Sequence, residues 1–263
     1  MKHIEFIVIG LLLLLGCLVT LIVESTDESL DCPGLVIHCA AGLQRPVEEI
    51  AHGFEKETSI PIRLNFGGSG QLYSQLDLVG GDLYFPADMS YIEKGEAEGL
   101  VDKAIKVSPL VAELVVAKGN PKGIISLADL KRENIRVVIA ERSAAVGLFT
   151  HDVLEKAGLL MQIEAGKISK MGTVNEVALQ VEIGAADVGI VWNVLESQFE
   201  SCEFVFVEEF KQQPKYAGIG HIVNGSWPEE ADAFITYLMS RDKGAKIFKK
   251  YGFDVIDSIT SDQ

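Results

Sequence analysis

The sequence predicts an α/β fold built on mostly parallel sheets. Two observations lead there. Runs of strand length, apolar or alternating, are followed repeatedly by amphipathic runs of helical period. The connections between them are short, as expected where each helix packs back beside the strand it follows. Nothing repeats at a fixed period and no long Pro/Gly/Ser stretch divides the body, so two lobes, if present, must be joined by structured crossing segments.

The elements follow in order. "GLVIHCA" is a short apolar strand. "RPVEEIAHGFEKET" is a helix, with Val47, Ile50 and Phe54 at helical spacing and Pro46 in its first turn. "IPIRLNF" alternates like a strand, "GQLYSQLDLVG" is helical, "GDLYFPAD" strand-like and "SYIEKGEAEGL" a short helix capped by Asp88. "SPLVAELVVAKG" reads as one long strand. "SLADLKREN" is a helix with Ser126 as N-cap, "IRVVIAE" a strand, and "VGLFTHDVLEKAG" a helix closed by Gly158. "TVNEVALQVEIG" is helical; "ADVGIVW", "CEFVFVEE" and "YAGIGHIV" are strands. Two helices close the chain in "PEEADAFITYLMSRDKGAKIFKKYGF".

The chain has 263 residues, 48% hydrophobic and 23% charged, with a formal charge of −15. That acidity argues against nucleic acid or anionic lipid surfaces as partners and says little about small ligands. An uninterrupted apolar run of 18 residues, Phe6 to Val23, follows a single lysine. As a helix it is about 27 Å long, close to a bilayer core. "LLGC", Leu14 to Cys17, resembles a bacterial lipobox, which would make Cys17 a lipidated first residue. The run stays apolar after Cys17, which suits an uncleaved signal anchor instead. Either reading exports the remainder, with "STDESLDCPG" as a polar tether. Cys32, Cys39 and Cys202 remain; free thiols and one disulfide are both open, and no Cys/His zinc spacing occurs.

The chemistry lies after the strands. "AAGL" (residues 40–43), "GGSG" (67–70) and "RSAAVG" (142–147) each join a strand to a helix through small residues. Ligands in open α/β sheets bind at the carboxyl ends of strands, where helix N-termini offer unpaired N–H groups. Small side chains let the backbone itself approach an anion, and Ser69 adds a hydroxyl. "FGGSGQL" lacks the lysine of a phosphate loop and matches neither GxGxxG nor GxSxG. His38, His52, His151 and His221 are scattered and read as surface or satisfied core residues. The Asp82 and Asp88 pair brackets one strand and makes no metal cage. No nucleophile with a partnered base is evident, so no enzyme and no cofactor is expected.

Five landmarks in order, "CAAGL", "FEKETSIPIRLNFGGSGQL", "GGDLYFPAD", "VEIGAADVGIVW" and "AKIFKKYGFDV", resemble segments of the periplasmic molybdate-binding proteins of ABC transporters, within the type II solute-binding superfamily. The resemblance runs from about Gly34 to Asp254. It implies two lobes, each a mostly parallel sheet flanked by helices, with the ligand cleft between them. Residues 1–33 would be leader and tether, 34–112 with 221–263 the first lobe, and 113–220 the second. The chain would cross near Val111–Ala117 and return near Pro214–Val223.

The resemblance also implies a ligand held by neutral donors alone. Carried over position by position, the first-loop serine of the family falls on Gly42. The second-loop serine falls on Ser69, beside Gly70. The backbone donors fall on Val146, beside Gly147, and on Val174. The family's tyrosine falls on Trp192, whose indole N–H donates but cannot accept. Two of the three side-chain donors are thus altered, and glycine for serine at 42 is expected to enlarge the site. Arg142 could reach the pocket mouth or stay a solvated loop residue, and Gly42 could let Arg45 or a water complete the shell. The implied function is a periplasmic or extracytoplasmic monomer that takes molybdate or tungstate to an importer permease, tethered to the membrane by its N-terminal segment. Sulfate, phosphate or a ferric–anion complex as ligand, and a tethered sensor as role, are the alternatives.

Overall fold

The structure, a computed structural model, describes residues 34–165, 168–211 and 214–256. Cys17, Cys32 and the Phe6–Val23 run lie outside the described residues. Among the described residues no helix is long and apolar enough to cross a membrane.

Two five-stranded sheets organise residues 35 onward. The first is made by β1 (Leu35–Ala40), β2 (Ile62–Gly67), β3 (Leu83–Phe85), β4 (Val101–Leu110) and the late strand Lys215–Ile222, in the order β2-β1-β3-late strand-β4. The second contains β5 (Ala112–Ala117), β6 (Val137–Ala140), β7 (Ile168–Met171), β8 (Val188–Trp192) and β9 (Cys202–Val205), in the order β7-β6-β8-β5-β9. The late strand is β10. The sheets share one plan: β2-β1-β3 and β7-β6-β8 pair in parallel, and the remaining strands pair antiparallel. Both sheets are therefore mixed, not mostly parallel. The strand–helix alternation that suggests parallel pairing stops at β4, whose connection to β5 carries no helix.

The expected long strand at residues 108–119 is two strands in different sheets, parted at Val111. The Val111 N–H donates to Asn193 Oδ1 at 3.0 Å, and its carbonyl accepts the Asn193 N–H at 2.8 Å. This exchange, just past the end of β8, lets an apolar run change sheets without a turn residue to mark the place. At the return, β10 starts at Lys215, so residues 215–220, expected in the second lobe, pair in the first sheet.

Helices cover both sheets. In the first lobe α1 (Gln44–Thr58) buries Val47, Ile50 and Phe54. The Phe54 ring meets Phe234 and Tyr237 edge-on at 5.4 and 5.5 Å. The expected helix at 70–80 is two short ones, α2 (Ser69–Tyr73) and α3 (Leu76–Val79). Next, α4 (Met89–Ala97) starts at Asp88, whose carboxylate accepts the Ser90 N–H at 2.9 Å and pairs with Lys215. A 3-10 turn, Leu127–Lys131, replaces the helix expected after Ser126; the Ser126 hydroxyl donates to Asp129. The second lobe carries α5 (Ala145–Lys156), α6 (Leu160–Glu164) and α7 (Val174–Glu182), followed by α8 (Glu208–Lys211). The closing helices α9 (Pro228–Met239) and α10 (Gly244–Lys250) return to the first lobe, where α10 packs against α1.

Cys39 lies in the first sheet and Cys202 in the second, and both are buried free thiols, so these two form no disulfide. Asp82 is structural: its carboxylate takes the Val36 N–H at 2.8 Å and the Trp227 N–H at 2.9 Å. That ties the edge of the β1–β3 layer to the entrance of α9. His38 bridges the Asn65 amide and the Gly80 carbonyl, and His221 pairs with Asp232. His151 departs from the expectation of a satisfied core histidine: it is buried with neither ring nitrogen hydrogen-bonded.

Candidate functional site

The carboxyl ends of β1 and β2 face those of β6, β7 and β8, and a small cavity lies between them. On the first lobe its wall is Ala40, Ala41, Gly42, Gly67, Gly68, Ser69 and Ala87. On the second it is Ala144, Ala145, Val146, Thr173, Val174 and Trp192. The space open to the centre of a water-sized sphere is only about 10 Å3. No charged side chain lines it.

Donors point there because of where helices begin. The first turn of a helix has no internal acceptor for its N–H groups. Four such turns meet at the cavity: the 3-10 turn Ala41–Leu43 leading into α1, and the starts of α2, α5 and α7. Some of these groups already have protein acceptors. The N–H groups of Gly70 and Gln71 go to the Ser143 carbonyl, and that of Glu176 goes to Thr173 Oγ1. Among the described residues no loop acceptor takes the N–H of Ser69, Val146 or Val174. These amides carry the positive ends of their helices without a formal charge.

Ser69 is held in one orientation. Its Oγ accepts the Ala87 N–H at 3.1 Å, which leaves the hydroxyl proton to donate elsewhere. Its carbonyl accepts the Tyr84 hydroxyl at 2.7 Å, and burial pushes the Tyr84 phenol up, so it stays a donor. Trp192 is buried at the end of β8 with its ring 5.7 Å from Phe149. Among the described residues no protein acceptor takes its indole N–H.

The structure brings five of the seven expected site residues to the cavity: Gly42, Ser69, Val146, Val174 and Trp192. Gly70 and Gly147 do not line it. A Cβ on Gly147 would lie 1.9 Å from the Glu141 carbonyl oxygen, so that glycine permits the tight entry to α5. The room expected from Gly42 is already taken. A Cβ there would crowd Val174 Cγ1 at 3.0 Å and meet Trp192 Cδ1 at an ordinary 3.7 Å, so glycine makes way for the Val174 side chain rather than for a larger ligand. Arg142 turns away to pair with Asp152 and Glu155 at 3.6 and 3.7 Å, and Arg45 is exposed. Thr173 and Ala87 lie outside the three small-residue junctions read from the sequence, whereas Ala144 and Ala145 fall within the third. Thr173 carries one usable signal, "TVNE", a capping box that opens α7.

This architecture matches a known family. The description "bacterial extracellular solute-binding protein" fits residues 35–254. The chain belongs to that family. A protein of Haemophilus influenzae described only as a binding protein is 26% identical over 235 residues, 87% of this chain and 94% of that one. The molybdate-binding protein ModA of Escherichia coli is 24% identical over 234 residues, 84% of this chain and 89% of its own. Among solved structures, the periplasmic molybdate-binding protein of Azotobacter vinelandii superposes with a TM-score of 0.70 at 20% identity, over 83% of this chain and 98% of that one. The sulfate-binding protein SubI of Mycobacterium tuberculosis gives 0.72 at 17% identity, over 86% and 88%. At such identities the structural likeness establishes the two-lobed fold of the family and leaves the ligand to the site itself.

Proposed function

We propose that this solute-binding protein captures a tetrahedral oxyanion, molybdate or tungstate first, and hands it to an ABC importer. The observation that carries the reading is the uncharged cavity at the meeting of four helix starts, with the Ser69 hydroxyl oriented beside them. Fixed N–H and O–H donors hold a dianion through charge-assisted bonds without a cation nearby. Ser69, Val146, Val174 and Trp192 are the assigned donors, the second and third through their backbone. A cation-free cage suits an anion that must be released again, since no buried ion pair has to be broken. Capture is by closure of the lobes about the crossing at Val111, and delivery by reopening at the permease. The Phe6–Val23 run tethers the protein outside the cytoplasm, through Cys17 or as an uncleaved anchor.

Isothermal titration of the purified protein with molybdate, tungstate, sulfate and phosphate tests the ligand. One-to-one binding of molybdate and tungstate well above sulfate is the expected result, and silence toward all four would sink the assignment. Intact-mass measurement reads the tether: an acylated N-terminus at Cys17 or a retained Met1 is expected, and an unacylated cleaved chain would remove it.

A further inference from the structure

The glycines of "GGSG" do not serve the loop's own conformation. Gly68 has φ −67° and ψ 139°, values open to any residue, and Gly70 lies within α2. Neither is among the glycines with positive φ. What Gly68 and Gly70 permit is contact between lobes. The Gly70 and Gln71 N–H groups both donate to the Ser143 carbonyl across the cleft, at 2.7 and 3.2 Å. The Tyr91 hydroxyl donates to the neighbouring Arg142 carbonyl at 3.4 Å. A Cβ on Gly68 would stand 2.9 Å from the Ser143 oxygen and 3.1 Å from that of Gly172. A Cβ on Gly70 would stand 3.0 Å from the Ser143 oxygen and 2.8 Å from the Tyr91 hydroxyl.

We propose that Gly68 and Gly70, by meeting Ser143 backbone to backbone, form a stop that sets the width of the closed cavity and so selects the anion by size. This rests on the oxyanion-binding reading. The contact lies one residue from Ser69 on the first lobe and three from Val146 on the second. Ser69 sits between the two glycines, and Ser143 precedes the Ala144–Val146 turn that opens α5. The spacing between donors of the two lobes is thus fixed by a hydrogen bond and a hard steric limit, not by the ligand. An anion too large holds the latch open and forfeits its bonds. One too small reaches the donors of only one lobe at good length, and hydrogen bonds weaken steeply beyond their normal range. Backbone is the right material for such a stop, because it has no rotamers through which to yield.

The test uses the full-length chain with Gly68→Ala and Gly70→Ala made separately, each checked for native circular dichroism. Neither change removes a donor. The probes are sulfate, selenate, molybdate and tungstate, dianions of one shape and rising size, the last two nearly equal. The expected result is faster release with little change in association. Affinity should fall for every anion and most for the smaller ones, moving the sulfate-to-molybdate ratio of dissociation constants by about tenfold, while the molybdate-to-tungstate ratio stays put. A folded variant that keeps the wild-type affinities and order overturns the proposal. If the wild type binds none of the four, the ligand assignment fails and the stop is still readable by amide hydrogen exchange. Exchange at Gly70 and Gln71 slower in wild type than in Gly68→Ala supports it, and equal rates overturn it.

Discussion

Replacing Ser69 with alanine separates two jobs of one buried hydroxyl. In the structure Oγ accepts the Ala87 N–H at 3.1 Å, and Ser69 is 1% exposed. Removing it leaves a buried amide without a partner, which lowers folding stability by about 1–3 kcal/mol. For a domain of this size that is roughly 2–4 °C of melting temperature per kcal/mol. Under the proposed function the same change removes a donor from the anion. A hydrogen bond to a charged group is worth about 1.5–3 kcal/mol, and about 1.4 kcal/mol is tenfold in affinity, so the dissociation constant should rise roughly 10- to 150-fold. Titration calorimetry with molybdate and thermal melts of the ligand-free protein read the two effects independently. A lower melting temperature with the dissociation constant within twofold of wild type would refute the role in binding, because the hydroxyl would then serve Ala87 alone.

Three further predictions follow from buried groups away from the cavity. Asp82→Ala strips the acceptor from two backbone amides, Val36 and Trp227, and should lower unfolding free energy by about 2–4 kcal/mol in urea titrations. Phe54→Ala empties the contact between α1 and α9 and should lower it by about 3–5 kcal/mol, with anion affinity little changed, because Phe54 does not line the cavity. His151 is held below the ordinary histidine value by burial first and then by Arg142 and Lys170, against the opposing pull of Glu164 and Glu141. The unfolded chain then binds a proton that the folded chain resists. Stability is full above about pH 6.5 and declines as pH falls from there toward the depressed folded value. Urea midpoints at about pH 5 and about pH 8 should converge in His151→Leu, and an unchanged pH dependence would show that other groups carry it.

Much of the fold is legible along the chain because its signals are local. Helix α1 is written in the spacing of Val47, Ile50 and Phe54, and the cap at Asp88 in its residue type and place. The three small-residue junctions point to the carboxyl ends of the strands, and five of the seven expected residues do meet there. Two of the misread elements share one cause, partners distant in sequence. Nothing within residues 108–119 distinguishes one long strand from two, because the break at Val111 is made by Asn193, 82 residues away. The pairing direction of β10 depends on β3 and β4 and not on its own residues.

The sequence by itself determined the alternation of strands and helices, the family, and the neutral small-residue loops that join strands to helices. These follow from propensity, periodicity and residue chemistry, which act within a few positions. Tertiary structure alone decided that the sheets are mixed, that the Gly42 space belongs to Val174, and that Arg142 faces Asp152 and Glu155. It also decided that the glycines around Ser69 face the other lobe rather than an open loop. Steric room and hydrogen-bond pairing are properties of surfaces in contact, and which surfaces meet is settled only when the whole chain has folded.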